Sequence, residues 1–204
     1  MIDYNQPKFV TFEGVVGCGK TTQSKMLYEY LSGKNLEVCR TREIGGTRVA
    51  ELIRDIVIYE HMLPFSELLL IMAARYEHIH KIIIPALTLK QWVVCDRFVD
   101  STACYQGLSD IGSEKVYQLH DEIFNNLMPD ITFFIDVPPT ETLDRISNNL
   151  DCNKFENEGL EFHNKIYQGF QAITKQFSNR IVRIEAAQLN PQQVHLKILE
   201  ALSI

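Results

Sequence analysis

An α/β fold, a doubly wound parallel sheet of five strands with helices on both faces, is what this sequence predicts, and three observations predict it. Short apolar runs alternate with longer helical patterns from one end of the chain to the other, as in strands joined by crossover helices. The middle three runs, Leu36–Thr41, Gln91–Asp96 and Ile131–Asp136, are read as nearly continuously apolar, as strands buried on both faces are. Between the first run and the first helical pattern stands Gly14 to Thr21, GVVGCGKT, a glycine-rich turn of the kind that joins a strand to a phosphate-binding helix N-terminus.

The elements follow in order. A first strand is expected at Lys8 to Glu13, where FVTF carries β-branched and aromatic residues. A helix at Lys20 to Leu31 is closed by Gly33, a residue that ends helices. The second strand spans Leu36 to Thr41. Thr47 then caps a helix to Ile58. A long helix over Ser66 to Leu89 contains Pro85, which should bend or shorten it. The third and fourth strands, Gln91 to Asp96 and Ile131 to Asp136, flank a helix at Ser113 to Leu127. Further helices cover Thr140 to Asn148 and Glu158 to Phe177, and the fifth strand is Ile181 to Glu185. Asn190-Pro191 opens the last helix as a cap and first-turn pair. Ser147 to Asn157, SNNLDCNKFEN, is polar and breaks the rhythm; it reads as a loop able to serve as a lid.

With 204 residues and no Pro-, Gly- or Ser-rich linker, the chain is expected to form one domain around a sizeable core. Its composition of 46% hydrophobic and 23% charged residues is ordinary for a globular protein, with no long apolar stretch for a membrane span. MIDYNQPKFV has neither a basic segment nor a signal-like apolar core, so a cytoplasmic location is expected. A net charge of −6 argues against coating a nucleic-acid polymer, while a local arginine cluster can still bind a small anion. The five cysteines form no C-x-x-C pair and read as free thiols, and the six histidines fit no metal pattern.

In a doubly wound sheet ligands gather beyond the carboxyl ends of the strands. After the first strand, Gly14, Val15, Val16, Gly17, Cys18 and Gly19 form the loop whose amides would cradle phosphate, Lys20 supplies charge, and Thr21 and Thr22 open the helix, Thr21 holding Mg²⁺ through its hydroxyl. After the second come Arg42, Glu43, Ile44 and two glycines, a basic pocket wall. After the third comes Asp96-Arg97, an aspartate to orient the metal and an arginine able to fork onto a second phosphate. Arg75 on the long helix would be a third arginine. Three arginines with a P-loop describe a site with two anions to neutralise, a nucleotide triphosphate and an acceptor phosphate, which suits phosphoryl transfer.

The series FEGVVGCGKTTQSK, TREIGGT, AARYEH, DRFVDSTACYQG and FIDVPPTETLDR, from about Phe9 to Phe170, resembles bacterial thymidylate kinase. The resemblance implies a P-loop NTPase fold, ATP-dependent phosphorylation of dTMP to dTDP with Mg²⁺, and a homodimer. It implies that Lys20 and the loop amides bind ATP phosphates, that Thr21 and Asp96 serve the metal, and that Arg42, Arg75 and Arg97 hold the acceptor phosphate. Glu43, Ser101, Thr102, Tyr105 and Gln106 fall in its substrate pocket, with Thr102 at the base edge and Tyr105 against the sugar.

Four positions depart from the family pattern. The acidic residue in mid-loop that meets the acceptor sugar is Val16, a change expected to remove about 1.5–3 kcal/mol of stabilisation, roughly ten- to a hundredfold in rate or affinity. The base-stacking phenylalanine is Ile71, which lacks an aromatic face. The turn's proline is Ile44, so a fixed φ is lost and the turn is expected to be less rigid. The lid offers Lys154, with Arg145 ahead of it, where arginines would neutralise the transferring group, and Cys18 means that the loop supplies none either. Lys154 is accordingly the expected catalytic cation of the lid, beside Lys20, Arg97 and Asp96. The same fold, with Val16 and Ile71 in place, also accommodates a kinase for another nucleoside monophosphate or a deoxynucleoside, and a degenerate nucleotide-binding protein with little turnover.

Overall fold

Five consecutive buried residues, FVTFE, form strand β1 (Phe9–Glu13), and its place at the middle of the sheet explains the absence of polar alternation. The structure, a computed structural model, describes residues 8–146 and 153–203. Strands β2 (Val38–Arg42), β3 (Trp92–Asp96), β4 (Ile131–Asp136) and β5 (Ile181–Glu185) complete a parallel sheet in the order β2-β3-β1-β4-β5. The order reverses at β1, the switch point where open α/β sheets bind ligands. Register sets the site: Phe12 lies beside Asp96, and Asp96 beside Arg42, so three strands end side by side.

Side chains of β1 and β3 alternate between two cores. Val10, Phe12, Trp92 and Val94 enter the cluster completed by helices α1 (Lys20–Gly33), α8 (Leu160–Gln176) and α9 (Pro191–Ala201). There Leu27 and Leu31, one turn apart on α1, are fully buried, each stabilising the fold by about 1.5–3 kcal/mol relative to exposure. Phe9, Val93 and Cys95 enter the opposite cluster, which helices α3 (Pro64–His78), α5 (Val99–Tyr105) and α6 (Ser113–Phe124) cover. Between the two, Thr11 and Thr132 satisfy one another across β1 and β4 at 2.7 Å. Helices α2 (Arg48–Tyr59) and α7 (Pro139–Ile146) complete the described crossovers. Thr47 caps α2 by accepting the Ala50 amide, and Asn190 with Gln193 forms a capping box on α9.

Four features differ from expectation. Strand β2 is not buried on both faces: it lies at the sheet edge, and none of its residues is fully buried. The long helix is not shortened at Pro85: a π-helical segment, Ile79–Ile83, follows α3 and leads into α4 (Ile84–Thr88), where Pro85 occupies the first turn and its missing N–H is not needed. The helix from Ser113 stops at Phe124 rather than Leu127, because Asn125 and Asn126 both take positive φ. Helix α5 was not expected at all. Its residues Val99 to Cys104 are buried on every side, so no amphipathic period marks it. Of the expected lid, 147–152 lies outside the described residues, as do Cys152 and the side chain of Arg145; Cys18, Cys39, Cys95 and Cys104 are free thiols. Among the described residues no helix is long and apolar enough to cross a membrane.

Candidate active site

The loop between β1 and α1 is shaped by its glycines. Gly14 has φ +142°, and a Cβ there would lie 2.8 Å from both Cys18 Sγ and the Ile135 carbonyl oxygen, so only glycine fits. Gly17 and Gly19 also take positive φ. Val15 is buried in the core and contributes its carbonyl, which accepts from Lys20 Nζ at 2.7 Å; Cys18 Sγ lies 3.6 Å from the same ammonium. Burial, reinforced by the charge of Arg97, lowers the pKa of Lys20. Val16 and Gly17 line the adjoining cleft. Thr21 and Thr22 stand exposed at the helix start. Thr21 Oγ1 donates to Asp96 Oδ2 at 2.5 Å, so the two expected metal residues meet.

The cleft encloses about 470 Å³. Besides Lys20 and Asp96 its lining includes Arg42, Arg54, Arg75 and Arg97. Arg75 is held from two sides: Nε donates to Glu43 Oε2 and Nη2 to Thr102 Oγ1, both at 2.7 Å. Glu43 Oε1 meets His78 Nδ1 at 2.9 Å, and His78 Nε2 meets Thr41 Oγ1 at 2.6 Å. Burial alone would raise Glu43, but the Arg75 charge and His78 outweigh it and hold the carboxyl below its usual range. Gly46 completes the packing, since a Cβ there would come within 2.6 Å of the His78 ring. Arg97 donates through Nη1 to the Gly14 carbonyl at 3.1 Å and to Ser101 Oγ at 2.8 Å, and it lies over the Tyr105 ring at 5.3 Å. Ile71, 3% exposed, forms part of the apolar wall.

Several of the expected site residues have partners within the protein. Glu43 has both carboxylate oxygens engaged by Arg75 and His78, so it orients the arginine rather than offering itself to a ligand. Arg42 is half exposed and pairs with Glu51, Nη2 to Oε2 at 2.7 Å. The turn after β2 that contains Ile44 is tied at three points: Gly46 N donates to Glu51, Arg54 Nη1 to the Ile44 carbonyl, and Glu43 N to the Asp96 carbonyl. Lys154 does not point at the P-loop. Its ammonium lies on Glu67 Oε2 at 2.5 Å and on the Glu60 carbonyl at 2.8 Å, because its own amide is anchored to the Ile58 carbonyl. Gln106 donates to the other oxygen of Glu67 at 2.8 Å.

Arg54 and Phe155 are among the lining residues that the sequence alone does not single out. Arg54 lies two helical turns beyond the cap Thr47, a spacing that places it on the face turned toward the glycine turn and so could have identified it. Phe155 lines the cleft and stands edge-on to Tyr105, with centroids 5.6 Å apart; no motif surrounds it.

Comparison with known proteins agrees with this site. The family model described as thymidylate kinase matches residues 12–198. Thymidylate kinase of Rickettsia bellii (strain OSU 85-389) is 52% identical over the whole of both chains. That of Rickettsia typhi (strain ATCC VR-144 / Wilmington) is 53% identical over 191 residues, 93% of this chain and 94% of its own. The crystal structure of thymidylate kinase from Ehrlichia chaffeensis superposes with a TM-score of 0.79 at 38% identity, covering 97% of this chain and 99% of that one. By motif, fold, sheet and full-length relatedness alike, the chain belongs to the thymidylate kinase family.

Proposed function

We propose that this chain transfers the terminal phosphoryl group of ATP to dTMP, giving dTDP and ADP, a step toward dTTP. The observation that carries the reading is the convergence on one cleft of the loop ammonium of Lys20, the buried guanidinium of Arg75 and the half-buried guanidinium of Arg97. Several cations around one cleft suit two phosphates brought end to end, and positioning with charge neutralisation supplies most of the acceleration in such transfers. ATP phosphates lie on the loop amides and Lys20 in this reading. The acceptor phosphate lies among Arg42, Arg54, Arg75 and Arg97, its nucleoside between Ile71, Thr102, Tyr105 and Phe155.

The hydroxyl of Thr21 and the carboxylate of Asp96 are hard oxygen donors in direct contact, a donor set that fits Mg²⁺ completed by phosphates and water. Among the described residues no cluster of three His, Cys, Asp or Glu side chains competes for it. Bound there, Mg²⁺ would neutralise phosphate charge. A homodimer is supported by the exposed apolar stripe Val49, Leu52, Ile56 and Tyr59 on α2, continued by Phe65 and Leu69 on α3. The chain is proposed to act in the cytoplasm.

A coupled assay with ATP, Mg²⁺ and a panel of nucleoside monophosphates and deoxynucleosides tests the reading. The highest kcat/KM is expected for dTMP. Preference for another acceptor would overturn the substrate, and binding of ATP and dTMP without product would overturn the activity.

A further inference from the structure

Strand β1 ends on a carboxyl group that does not itself line the cleft but holds two residues that do. Glu13 is 1% exposed, and both of its oxygens are engaged by the turn that leads from β3 into α5. Oε1 accepts the Phe98 amide at 2.7 Å, and Oε2 lies 2.5 Å from Ser101 Oγ. Those two partners follow Arg97 by one and four residues. Arg97 has φ +71°, a left-handed conformation that a residue with a side chain keeps only when its surroundings hold it. Its amide donates to the Phe12 carbonyl at 3.0 Å, and the next amide donates to Glu13. The last two residues of β1 therefore grip the turn from both sides. The side chain is gripped by the same carboxyl one link removed, since Ser101 Oγ, tied to Glu13, accepts from Arg97 Nη1 at 2.8 Å.

We propose that Glu13 is the positioning residue of Arg97: through the Phe98 amide and the Ser101 hydroxyl it sets the turn and aims the guanidinium at the acceptor phosphate. The inference rests on reading that wall of the cleft as the acceptor site. A carboxyl group suits the task because it offers two adjacent oxygens to an amide and a hydroxyl that lie on one short turn.

The proton on this carboxyl completes the device. Burial, with the charge of Asp100 adding to it, pushes Glu13 up to about 8, against the hydrogen bonds from Ser101 and Phe98 and the charge of Arg97. With the carboxyl protonated, Oε2 would donate to Ser101 Oγ in place of the bond that the serine donates to the ionised form, freeing the serine hydrogen to turn into the cleft it lines. Above that range the carboxylate takes the serine hydrogen and places negative charge behind a guanidinium that must bind an anion. The groups facing Glu13 are Asp100 and Cys104 of α5, Arg97 of the turn, Lys20 of α1, Cys95 of β3 and Arg180 before β5. Asp100 is paired bidentately with Arg180 at 2.7 Å, and burial raises both thiols well above their usual range.

Steady-state kinetics of the full chain, Glu13→Ala, Glu13→Gln and Ser101→Ala, with circular dichroism to establish folding, test the proposal. Glu13→Ala should raise the KM for dTMP by roughly tenfold while the KM for ATP moves less than about twofold. Glu13→Gln keeps an acceptor for Phe98 and a donor for Ser101, so it should return the dTMP KM to within about threefold of the parent. It should also abolish the rise of that KM above pH 8 that is expected of the parent. If Glu13→Ala does not fold, Ser101→Ala breaks the same link and should reproduce the dTMP-selective effect. Equal KM changes for both substrates, no change in either, or an alkaline rise retained by Glu13→Gln would overturn the proposal. A parent protein that does not phosphorylate dTMP at all would instead overturn the reading of the cleft.

Discussion

Arg75 on α3 and Glu43 at the end of β2 close an ion pair at 2.7 Å with side chains only 1% and 4% exposed. Two charges this far from water hold each other in place, and neither survives well alone. Glu43→Ala should cost about 3–5 kcal/mol of stability because it strands the Arg75 charge, and it should raise the dTMP KM with little effect on ATP. Denaturant unfolding and steady-state kinetics measure both. Replacing the pair together, Glu43→Leu with Arg75→Met, should recover much of the stability and none of the binding, a split that separates the fold's need of the pair from the ligand's.

Val16 lines the cleft between the loop and the arginine wall and has no charge to offer a sugar hydroxyl. Val16→Asp should raise kcat/KM for dTMP by roughly ten- to a hundredfold. Unchanged turnover would mean that another group already serves there.

Lys154 sits on Glu67, which Gln106 holds from its other side. Its place is that of a tether between the lid segment and α3. Lys154→Met is expected to raise the dTMP KM and to lower kcat by less than about tenfold, whereas loss of the cation at a transferring phosphoryl group costs roughly a thousandfold or more. Glu67→Gln should act similarly, and the two changes combined should cost little more than either alone, because they break one link. A thousandfold fall in kcat for Lys154→Met would return the lysine to the reacting phosphate.

Two buried groups give stability opposite slopes with pH. Glu13, raised by burial to about 8 from 4.5, holds a proton that the unfolded chain releases, so stability falls as pH rises from 4.5 to 8 and levels above that. His120, lowered by burial and by Arg75 to about 4 from 6.5, stays neutral where the unfolded chain takes up a proton. Its contribution is present above pH 6.5 and is lost as pH falls through 4. The two oppose one another between 4.5 and 6.5, which leaves 6.5 to 8 as the window in which Glu13 acts unopposed. There the parent should lose at most about 1.4 kcal/mol per pH unit, and Glu13→Gln should lose less by that amount. Urea titrations at three or four pH values decide it; equal slopes would refute the assignment.

What could be read along the chain was whatever repeats or punctuates. Apolar runs marked the five strands, Thr47 and Asn190-Pro191 marked helix starts, and the glycine spacing marked the loop. Arg42, Arg75 and Arg97 were visible because strand ends are where charge is expected, and all three line one cleft. Helix α5 was invisible because burial on every side erases periodicity, and the strand order depends on contacts between distant segments. The partners of charged residues were the hardest to foresee. Nothing along the chain says that Arg42 answers to Glu51, or that Lys154 turns to Glu67 rather than to the loop. Glu13 looked like the last residue of a strand, and only the fold brings Phe98 and Ser101 to its oxygens.

Helices α2 and α3 present Arg54 and Arg75 to the cleft on one side and the apolar stripe from Val49 to Leu69 to water on the other. Packed helices move as units, so covering the stripe and filling the cleft draw on the same pair of elements. In the homodimer proposed above, any coupling between the two events is reciprocal. By whatever factor association of the chain would tighten its hold on a phosphate ligand, that ligand would tighten association by the same factor. Where that factor differs from one, an affinity measured at nanomolar protein and one measured at micromolar protein would describe two different receptors.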